Sequence, residues 1–307
     1  MKKLLFASAL LTSLAAGPAL AADMPVKAPE APPPIVVGWS GFYVGANVGY
    51  GWSDSTVSFA GDNFVGAFLV NPATKSPDAT PLGPATFQSQ GGAAGLQAGY
   101  NWQVNPVWLV GFETDINWSN IKGSEQTSFN VLIPNTHLFE PQLFFQTVLA
   151  DRKITSFGTV RARLGWLPKP NVLLYGTGGF AYGRIGENIT EMLTAPGLPA
   201  GTPVTMSGSG TSLACVLGAS CLTGGSSRIA TGWSAGFGGE NAITPNVSVK
   251  VEYLYVNLGG VSFHAVAPAT APGSPIPASI TAADRVNLQT VRIGINYRFG
   301  GPLFAAY

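Results

Sequence analysis

The segment from Val291 to Phe299 alternates apolar and polar residues along its whole length. Its odd-numbered members are apolar, and all are β-branched or aromatic: Val291, Ile293, Ile295, Tyr297 and Phe299. Its even-numbered members are small or polar: Arg292, Gly294, Asn296 and Arg298. A β-strand points alternate side chains to opposite faces. One face of this strand therefore suits hydrocarbon and the other suits water, as in a membrane barrel or in a soluble sheet packed on a core.

Seven further segments have the composition and length of β-strands. The eight predicted strands are 41–52, 91–104, 107–119, 154–167, 172–184, 228–243, 247–258 and 285–299. Long connections (54–90, 120–150, 185–227 and 259–284) alternate with short turns (105–106, 168–171 and 244–246). Each predicted strand reaches the roughly 9–11 residues that a transmembrane strand needs. The sequence thus predicts an all-β fold, an eight-stranded antiparallel up-and-down transmembrane β-barrel with long extracellular loops and short periplasmic turns.

The N-terminus has the features of a secretory signal peptide over residues 1–21. Lys2 and Lys3 precede an apolar stretch, and Ala19-Leu20-Ala21 forms an A-x-A cleavage site, so cleavage is expected between Ala21 and Ala22. Five prolines mark residues 22–38 as a periplasmic linker. The barrel is expected to span residues 39–299, followed by a C-terminal tail at 300–307.

Composition excludes several functional classes. The formal net charge is +1, which gives no basis for nucleic-acid binding. Beyond residue 21 no apolar run is long enough for a transmembrane helix. Only helices and closed barrels satisfy every backbone group within lipid, so a membrane location requires the barrel.

The polar faces of the predicted strands carry charges of both signs in nearly equal number. Eight strands enclose little more than their own side chains, so these charges should pair and fill the interior. Glu240 is expected opposite Lys250, and Glu113 and Asp115 near Arg161 and Arg163. The predicted lumen ion-pair network comprises Glu113, Asp115, Arg161, Arg163, Glu240, Lys250, Glu252, Arg292 and Arg298.

Six tryptophans lie near the ends of the predicted strands. Tryptophan favours the membrane–water boundary, so two aromatic girdles are expected. The girdle toward the short turns comprises Trp102, Trp108 and Trp166, and the girdle toward the long loops comprises Trp52, Trp118 and Trp233.

Chemistry-bearing residues outside the barrel charges are few. Cys215 and Cys221 lie in one Ser/Gly-rich segment, and in an exported protein a short-loop disulfide is the expected outcome. His137 and His264 fall in predicted loops, and neither loop contains a G-x-S-x-G motif, so no catalytic site is expected. The sequence indicates no cofactor and no metal site.

Several strand motifs resemble one family as a set. They are W-S-G-F-Y-V-G-A-N-V-G-Y-G-W at 39–52, A-G-L-Q-A-G-Y-N-W-Q at 94–103, G-F-E-T-D-I-N-W-S at 111–119, R-A-R-L-G-W at 161–166, L-L-Y-G-T-G-G-F-A-Y-G at 173–183, T-P-N-V-S-V-K-V-E-Y-L-Y-V-N-L-G at 244–259 and N-Y-R-F at 296–299. Together they resemble the small alphaproteobacterial outer-membrane immunogenic proteins, a porin-like family of eight-stranded OmpA-like barrels. The resemblance implies an abundant surface antigen in the cell outer membrane and carries over no catalytic residue.

The expected function is that of a non-enzymatic outer-membrane barrel that supports the cell envelope, with slow passive diffusion of small solutes as a further role. Three alternatives stay open: a surface adhesion barrel acting through its loops, an outer-membrane lipid-modifying enzyme, and a secreted soluble β-protein. The expected partners are outer-membrane lipid and the barrel-assembly machinery, with no surface partner identified. Phe299 resembles the terminal aromatic residue that such machinery recognises, but residues 300–307 follow it. Either the signal is therefore recognised at an internal position, or Tyr307 replaces Phe299 as the terminal aromatic.

Overall fold

Eight strands form a closed antiparallel barrel in the computed structural model of the protein. The structure describes residues 38–61, 85–133, 142–208, 211–266, 276–277 and 279–299. The barrel strands are β1 (Gly41–Gly61), β2 (Ala85–Gln103), β3 (Trp108–Ile133), β4 (Gln142–Lys169), β5 (Val172–Thr194), β8 (Ser220–Ala242), β9 (Val247–Val266) and β11 (Ser279–Arg298). Their order around the barrel is β1-β11-β9-β8-β5-β4-β3-β2, which confirms the predicted fold class.

The pairing of β1 with β11 closes the barrel. It runs from Tyr43 opposite Arg298 to Trp52 opposite Gln289, and it resumes at Ser58 opposite Ala283. Within the first stretch, neither strand has a free edge, because β1 also pairs with β2 and β11 with β9.

A band of apolar side chains surrounds the outside of the barrel. One such residue on each strand has between 40% and 65% of its surface exposed: Val48, Leu96, Ile116, Val160, Phe180, Phe237, Val251 and Ile293. The side chains here alternate between the outside and the inside of the barrel. This includes β5, whose facing the sequence left open: Leu174 and Phe180 point outward, whereas Leu173 and Tyr175 point inward. We call this outward apolar band the belt.

The prediction of long loops was wrong over much of their length, because the barrel strands continue well past the belt. β4 has 28 residues, whereas a transmembrane strand needs about 9–11. We call the continuation the upper extension, and the end with the short turns the lower end. The upper extension comprises 54–61, 85–90, 120–133, 142–155, 184–194, 220–231, 257–266 and 279–289.

The two faces of the wall exchange character at the start of the upper extension. On β1, Asn47 is buried inside the belt while Val48 is exposed, but above the belt Val57 and Phe59 are buried while Thr56 and Ser58 are exposed. The alternation therefore persists with its polarity reversed. The composition of these segments resembles that of loops because their outward-facing residues are mostly polar. Their inward-facing residues are mostly apolar and form a core.

Two apolar clusters fill the upper extension. The lower cluster, at the junction of the belt and the upper extension, contains Ile121, Ile154, Phe157, Ala181, Ile185, Leu254, Val256, Leu258, Val261, Val286 and Leu288. The upper cluster includes Val57, Phe59, Phe87, Val148, Ile189, Leu193, Phe263 and Ile280. Both lie on the barrel axis side of the wall, so the interior above the belt is a packed hydrophobic core.

A small separate sheet combines two strands from the predicted loop 185–227 with one from the predicted loop 259–284. It consists of β6 (Pro203–Gly208), β7 (Thr211–Val216) and β10 (Ile276–Pro277) in the order β10-β7-β6. Val204, Cys215 and Leu217 pack into the upper cluster. This sheet therefore contributes side chains to the core of the upper extension.

The short turns at the lower end have the spacing that the alternation requires. Gln103 lies opposite Leu109, and Ala242 lies opposite Ser248. Each pairing leaves an odd number of residues in the connection, so the apolar faces of both strands stay on the outside. No helix in the described residues is long and apolar enough to cross a membrane. The predicted signal peptide, most of the proline-rich linker and the tail lie outside the described residues.

Candidate functional site: the charged lumen

Inside the belt, buried charged side chains from opposite walls meet at the barrel axis. Glu113 on β3 is fully buried and accepts hydrogen bonds from Arg161 Nη2 (2.7 Å), from Lys250 Nζ (2.9 Å) and from the Tyr43 hydroxyl (2.8 Å). Arg161 lies on the neighbouring strand, directly opposite Glu113 in the register. Lys250 lies on β9, on the other side of the lumen, so its contact with Glu113 crosses the interior.

Arg161 joins three carboxylates. Besides Glu113, its guanidinium contacts Asp115 at 2.9 Å and Glu252 on β9 at 2.7 Å. Arg292 on β11 contacts the same two carboxylates, Asp115 at 3.0 Å and Glu252 at 2.6 Å. These contacts tie β3, β4, β9 and β11 together through one shared set of charges.

Glu240 and Arg163 form a second pair next to this set. Arg163 Nη2 donates to Glu240, which also accepts from Asn296 Nδ2 at 2.9 Å. The Arg163 guanidinium lies 3.8 Å from the centre of the Tyr175 ring. Glu240 lies opposite Lys250 in the register, as expected from the three-residue turn, but the ion pairs that the structure gives Lys250 are with Glu113 and Glu252.

The structure therefore brings together eight of the nine residues in the predicted network. Arg298 lies apart at the lower end, where its Nη1 donates to the Gly38 carbonyl (2.7 Å) and its guanidinium lies 4.3 Å from the centre of a Trp39 ring. The eight comprise four carboxylates (Glu113, Asp115, Glu240, Glu252) and four cations (Arg161, Arg163, Lys250, Arg292), so their formal charges cancel.

Glycines make room for the two tyrosines that border the charges. A Cβ on Gly99 would lie 2.5 Å from the Tyr43 hydroxyl oxygen, and one on Gly238 would lie 2.7 Å from that of Tyr175. Both distances are far below van der Waals contact, so each ring depends on the absence of a side chain in the adjacent wall.

Amide side chains that sequence reasoning missed form a chain beside the charges. Asn47 Nδ2 donates to Gln97 Oε1 (2.8 Å), and Gln97 Nε2 donates to Asn296 Oδ1 (2.7 Å). Asn296 in turn donates to Glu240. All three amides alternate with belt residues in the sequence, so their inward facing could have identified them.

A second ionic cluster lies in the upper extension, between the two apolar clusters, and was also missed. Arg152 on β4 contacts Glu187 at 2.8 Å and also pairs with Asp284 on β11. Its side chain lies over the Phe87 ring at 4.9 Å. Burial lowers the pKa of Arg152, and the Glu187 carboxylate partly opposes that shift. Glu187 and Asp284 fell in segments predicted to be loops, which is why the sequence did not connect them.

Apolar side chains close the lumen both below and above the charges. Below them, Trp39, Leu109, Leu167 and Leu173 are buried together with Tyr175 and Ala242. Above them lies the lower apolar cluster of the upper extension. From the lower end upward, the described interior therefore contains an apolar layer, the ion pairs, a second apolar layer, the Arg152 cluster and a third apolar layer.

The six tryptophans of the predicted girdles lie on the outer surface. Five of them, Trp102, Trp108, Trp118, Trp166 and Trp233, are between 45% and 56% exposed, and Trp52 is partly exposed. Trp108 lies opposite Trp166 at the lower end. Trp52 and Trp118 lie where the belt gives way to the upper extension. Whether they anchor the barrel at the two membrane boundaries stays a prediction.

The remaining predicted features lie in the upper extension or outside the described residues. Cys215 and Cys221 form a disulfide at the junction of the small sheet and β8. His264 points outward on β9, with Nδ1 2.8 Å from the Thr281 hydroxyl. His137 and the Ala21–Ala22 cleavage site lie outside the described residues. Within the described ranges, no group of three or more potential ligands could hold a metal ion.

Comparison with known proteins matches residues 7–299 to the family described as outer membrane protein beta-barrel domain. The chain belongs to this family. It is 31% identical over 304 residues to a 31 kDa outer-membrane immunogenic protein of Brucella melitensis, covering 97% of this chain and all of the relative. It is 25% identical to a 25 kDa outer-membrane immunogenic protein of Brucella canis, covering 97% of this chain and 99% of the relative.

These matches confirm the resemblance predicted from the strand motifs and establish the protein as an outer-membrane barrel at the bacterial surface. The upper extension is consequently extracellular, and the short turns are periplasmic. Among solved structures, the outer membrane protein OprG of Pseudomonas aeruginosa matches with 9% identity and a TM-score of 0.38, covering 87% of this chain and all of that chain.

Replacement of Arg161 by alanine is predicted to destabilise the barrel by about 3–5 kcal/mol, because it leaves buried carboxylates without their shared partner. The measurement is urea unfolding of the refolded protein in lipid vesicles. Lys169→Ala, on the same strand but exposed at the periplasmic end, serves as the control and should change stability by less than about 0.5 kcal/mol. Equal effects of the two substitutions would contradict the arrangement.

The stability of the extracellular extension is predicted to depend on pH through Glu191. Burial raises the pKa of the Glu191 carboxyl from 4.5 to about 8, and the nearby Gln146 side chain opposes that shift. Between these two values the unfolded carboxyl ionises while the folded one stays protonated. Local stability should therefore be highest below pH 4.5 and decline as the pH rises to about 8.

Amide hydrogen exchange of β4 and β5, corrected for the intrinsic pH dependence of exchange, measures this decline. Glu191→Gln should flatten it, because the variant has no proton to release. Thr190→Ala, at the adjacent outward-facing position, should leave the decline unchanged. An undiminished decline in Glu191→Gln would show that another group is responsible.

Proposed function

We propose that the protein is a non-conducting structural barrel, which supports the envelope and displays a rigid extracellular surface. The observation that carries this proposal is the layered interior. Cross-lumen ion pairs such as Lys250–Glu113 occupy the axis within the belt, and packed apolar residues lie above and below them. A hydrated path along the axis would have to displace all of these layers.

The same geometry supports a non-enzymatic role. Glu113, Asp115 and Glu252 each lie within 3 Å of a guanidinium or ammonium group, and their side chains are fully buried. A carboxylate that is neutralised by fixed cations and shielded from solvent is poorly suited to exchange protons with a substrate. The lumen charges are therefore proposed to maintain structure.

The barrel-assembly machinery and the surrounding outer-membrane lipid are the proposed partners. Support for the first comes from Phe299, which directly follows β11. It is an exposed aromatic residue that stacks on Phe42 with ring centres 5.7 Å apart. Support for the second comes from the belt, whose exposed apolar side chains require an apolar surrounding.

Surface display has a specific structural basis. β3 and β4 pair as far as Ile133 opposite Gln142, well beyond Trp118 at the edge of the belt. The outer face of this hairpin carries Lys122, Ser124 and Gln126, all exposed. A wall of paired strands presents these side chains in fixed positions, which suits recognition by other molecules at the cell surface.

Planar-bilayer recording of the refolded full-length protein tests the proposal. The expected result is no stepwise conductance, because the interior layers leave no continuous hydrated path. Heat-modifiable migration on a gel should show that the same preparation contains folded barrel, and a general porin should give steps under identical conditions. Reproducible single-molecule steps from the folded protein would refute a closed lumen and favour passive diffusion of small solutes.

A further inference from the structure

Three basic side chains lie near one another on three neighbouring strands, on the outer surface of the barrel. Lys122 on β3, Lys153 on β4 and Arg184 on β5 all point outward and are exposed. The register places Lys122 directly opposite Lys153, and Arg184 opposite Ser156. We call these three residues the basic patch.

Among the residues that the structure describes, the neighbours of the basic patch do not balance its charge. Like charges directly opposite each other on neighbouring strands repel. Neither lysine forms an ion pair within the part of the chain that the structure describes, whereas each lumen cation of the network has a carboxylate partner. Asp151 lies two residues before Lys153 on the same outward face of β4. Three positive charges against this one negative charge leave the patch with a net charge of +2.

The basic patch lies immediately above the belt. On β3, Lys122 follows the exposed Trp118 by four residues, and on β5 Arg184 follows Tyr182 by two. Below them, Ile116, Val160 and Phe180 on the same three strands are 40%, 51% and 50% exposed. Exposed apolar side chains therefore lie a few residues below the three cations on the same outer face.

Backbone irregularities lie next to both lysines. The β3–β4 register shifts between Trp118 and Ile121, just before Lys122, and the β4–β5 register shifts between Ile154 and Ser156, just after Lys153. Such bulges redirect the side chains beside them and are enriched next to functional sites.

We propose that the basic patch binds the phosphorylated sugar headgroup of an outer-leaflet glycolipid, whose acyl chains lie on the belt below it. Neighbouring strands are about 4.8 Å apart, so the two ammonium groups can flank a single phosphate. The planar guanidinium of Arg184 can donate two parallel hydrogen bonds to two further phosphate oxygens. The patch lies at the level of the lipid headgroups, just above the belt. A lipid is therefore favoured over a soluble anion, because its acyl chains can contact the exposed apolar residues of the belt.

Titration of the refolded full-length protein with diphosphoryl lipid A, in micelles of a zwitterionic detergent, tests this proposal. The triple variant Lys122→Gln/Lys153→Gln/Arg184→Gln should bind about tenfold more weakly or worse, because a charge-assisted hydrogen bond contributes about a factor of ten. Arg285→Gln removes an exposed cation from β11, outside the patch, and should bind like the unmodified protein. Lys122→Arg/Lys153→Arg keeps both charges and should retain binding.

Several outcomes would overturn the proposal. Unchanged affinity of the triple variant, with heat-modifiable migration intact, would show that the patch is not the site. Equal weakening by Arg285→Gln would show only nonspecific attraction between charges. Equally tight binding of a glycolipid without phosphate would exclude phosphate recognition. Competition by inorganic phosphate at the same concentration as the lipid would show that the patch binds a free anion and not a lipid headgroup.

Discussion

The absence of water within a bilayer is the constraint on which this structure depends. Every backbone N–H and C=O group at that depth must find a partner in the chain, which an open sheet cannot provide at its edges. Pairing of β1 with β11, from Tyr43 opposite Arg298 to Trp52 opposite Gln289, removes both edges. Once the sheet is closed, alternation assigns one set of side chains to lipid and the other to a narrow interior.

The narrow interior explains the arrangement of the charges. Eight strands leave little space beyond that of their own side chains, so polar groups turned inward must satisfy one another. Arg161 does so by contacting Glu113, Asp115 and Glu252 at once, and Lys250 reaches across the lumen to Glu113. Buried ion pairs contribute less to net stability than their number suggests, because desolvation offsets much of the attraction. Their main consequence here is that they fill the axis and cross-link strands on opposite sides.

Above the membrane the solvent on the outside changes from hydrocarbon to water, and the wall changes with it. Val57 and Phe59 occupy the interior where Tyr43 and Asn47 did lower on the same strand. The extracellular extension is thus built like an ordinary soluble β-barrel with an apolar core, joined without interruption to a membrane barrel with a polar one. The basic patch lies at this junction, where the outer face changes from apolar to polar.

The sequence predicted the belt well and the extension poorly, for one physical reason. Residues 291–299 alternate as expected of a strand with one face toward lipid. The same alternation in the other strands correctly predicted that Glu113 and Arg161 lie inside the barrel and near each other. Residues 54–61 also alternate, but with the polarity reversed, and their Ser/Thr content resembles that of a loop. The cluster of Arg152, Glu187 and Asp284 was missed because it forms only when residues 142–155, 184–194 and 279–289 are also strands.

Contacts across the lumen could not be derived from the sequence at all. Strand pairing fixes which residues are neighbours in the wall, as for Glu113 and Arg161. Whether Lys250 contacts Glu240 beside it or Glu113 across the axis depends on the tilt of the strands and the lengths of the side chains. Arg298 shares the inward face with the network, yet it lies low enough to bind the Gly38 carbonyl.

Thiol accessibility along β11 on intact cells tests the reversal of the wall most directly. Single cysteines would replace Val291, which faces outward in the belt, Ala283, which faces outward in the extension, and Ala282, which is fully buried in its core. The native cysteines are paired with each other and leave the introduced thiol as the reactive one. Rapid reaction of Ala283→Cys alone with a membrane-impermeant reagent is the predicted result. Reaction of Ala282→Cys at a similar rate, or protection of Ala283→Cys, would contradict a barrel whose apolar face turns inward above the membrane.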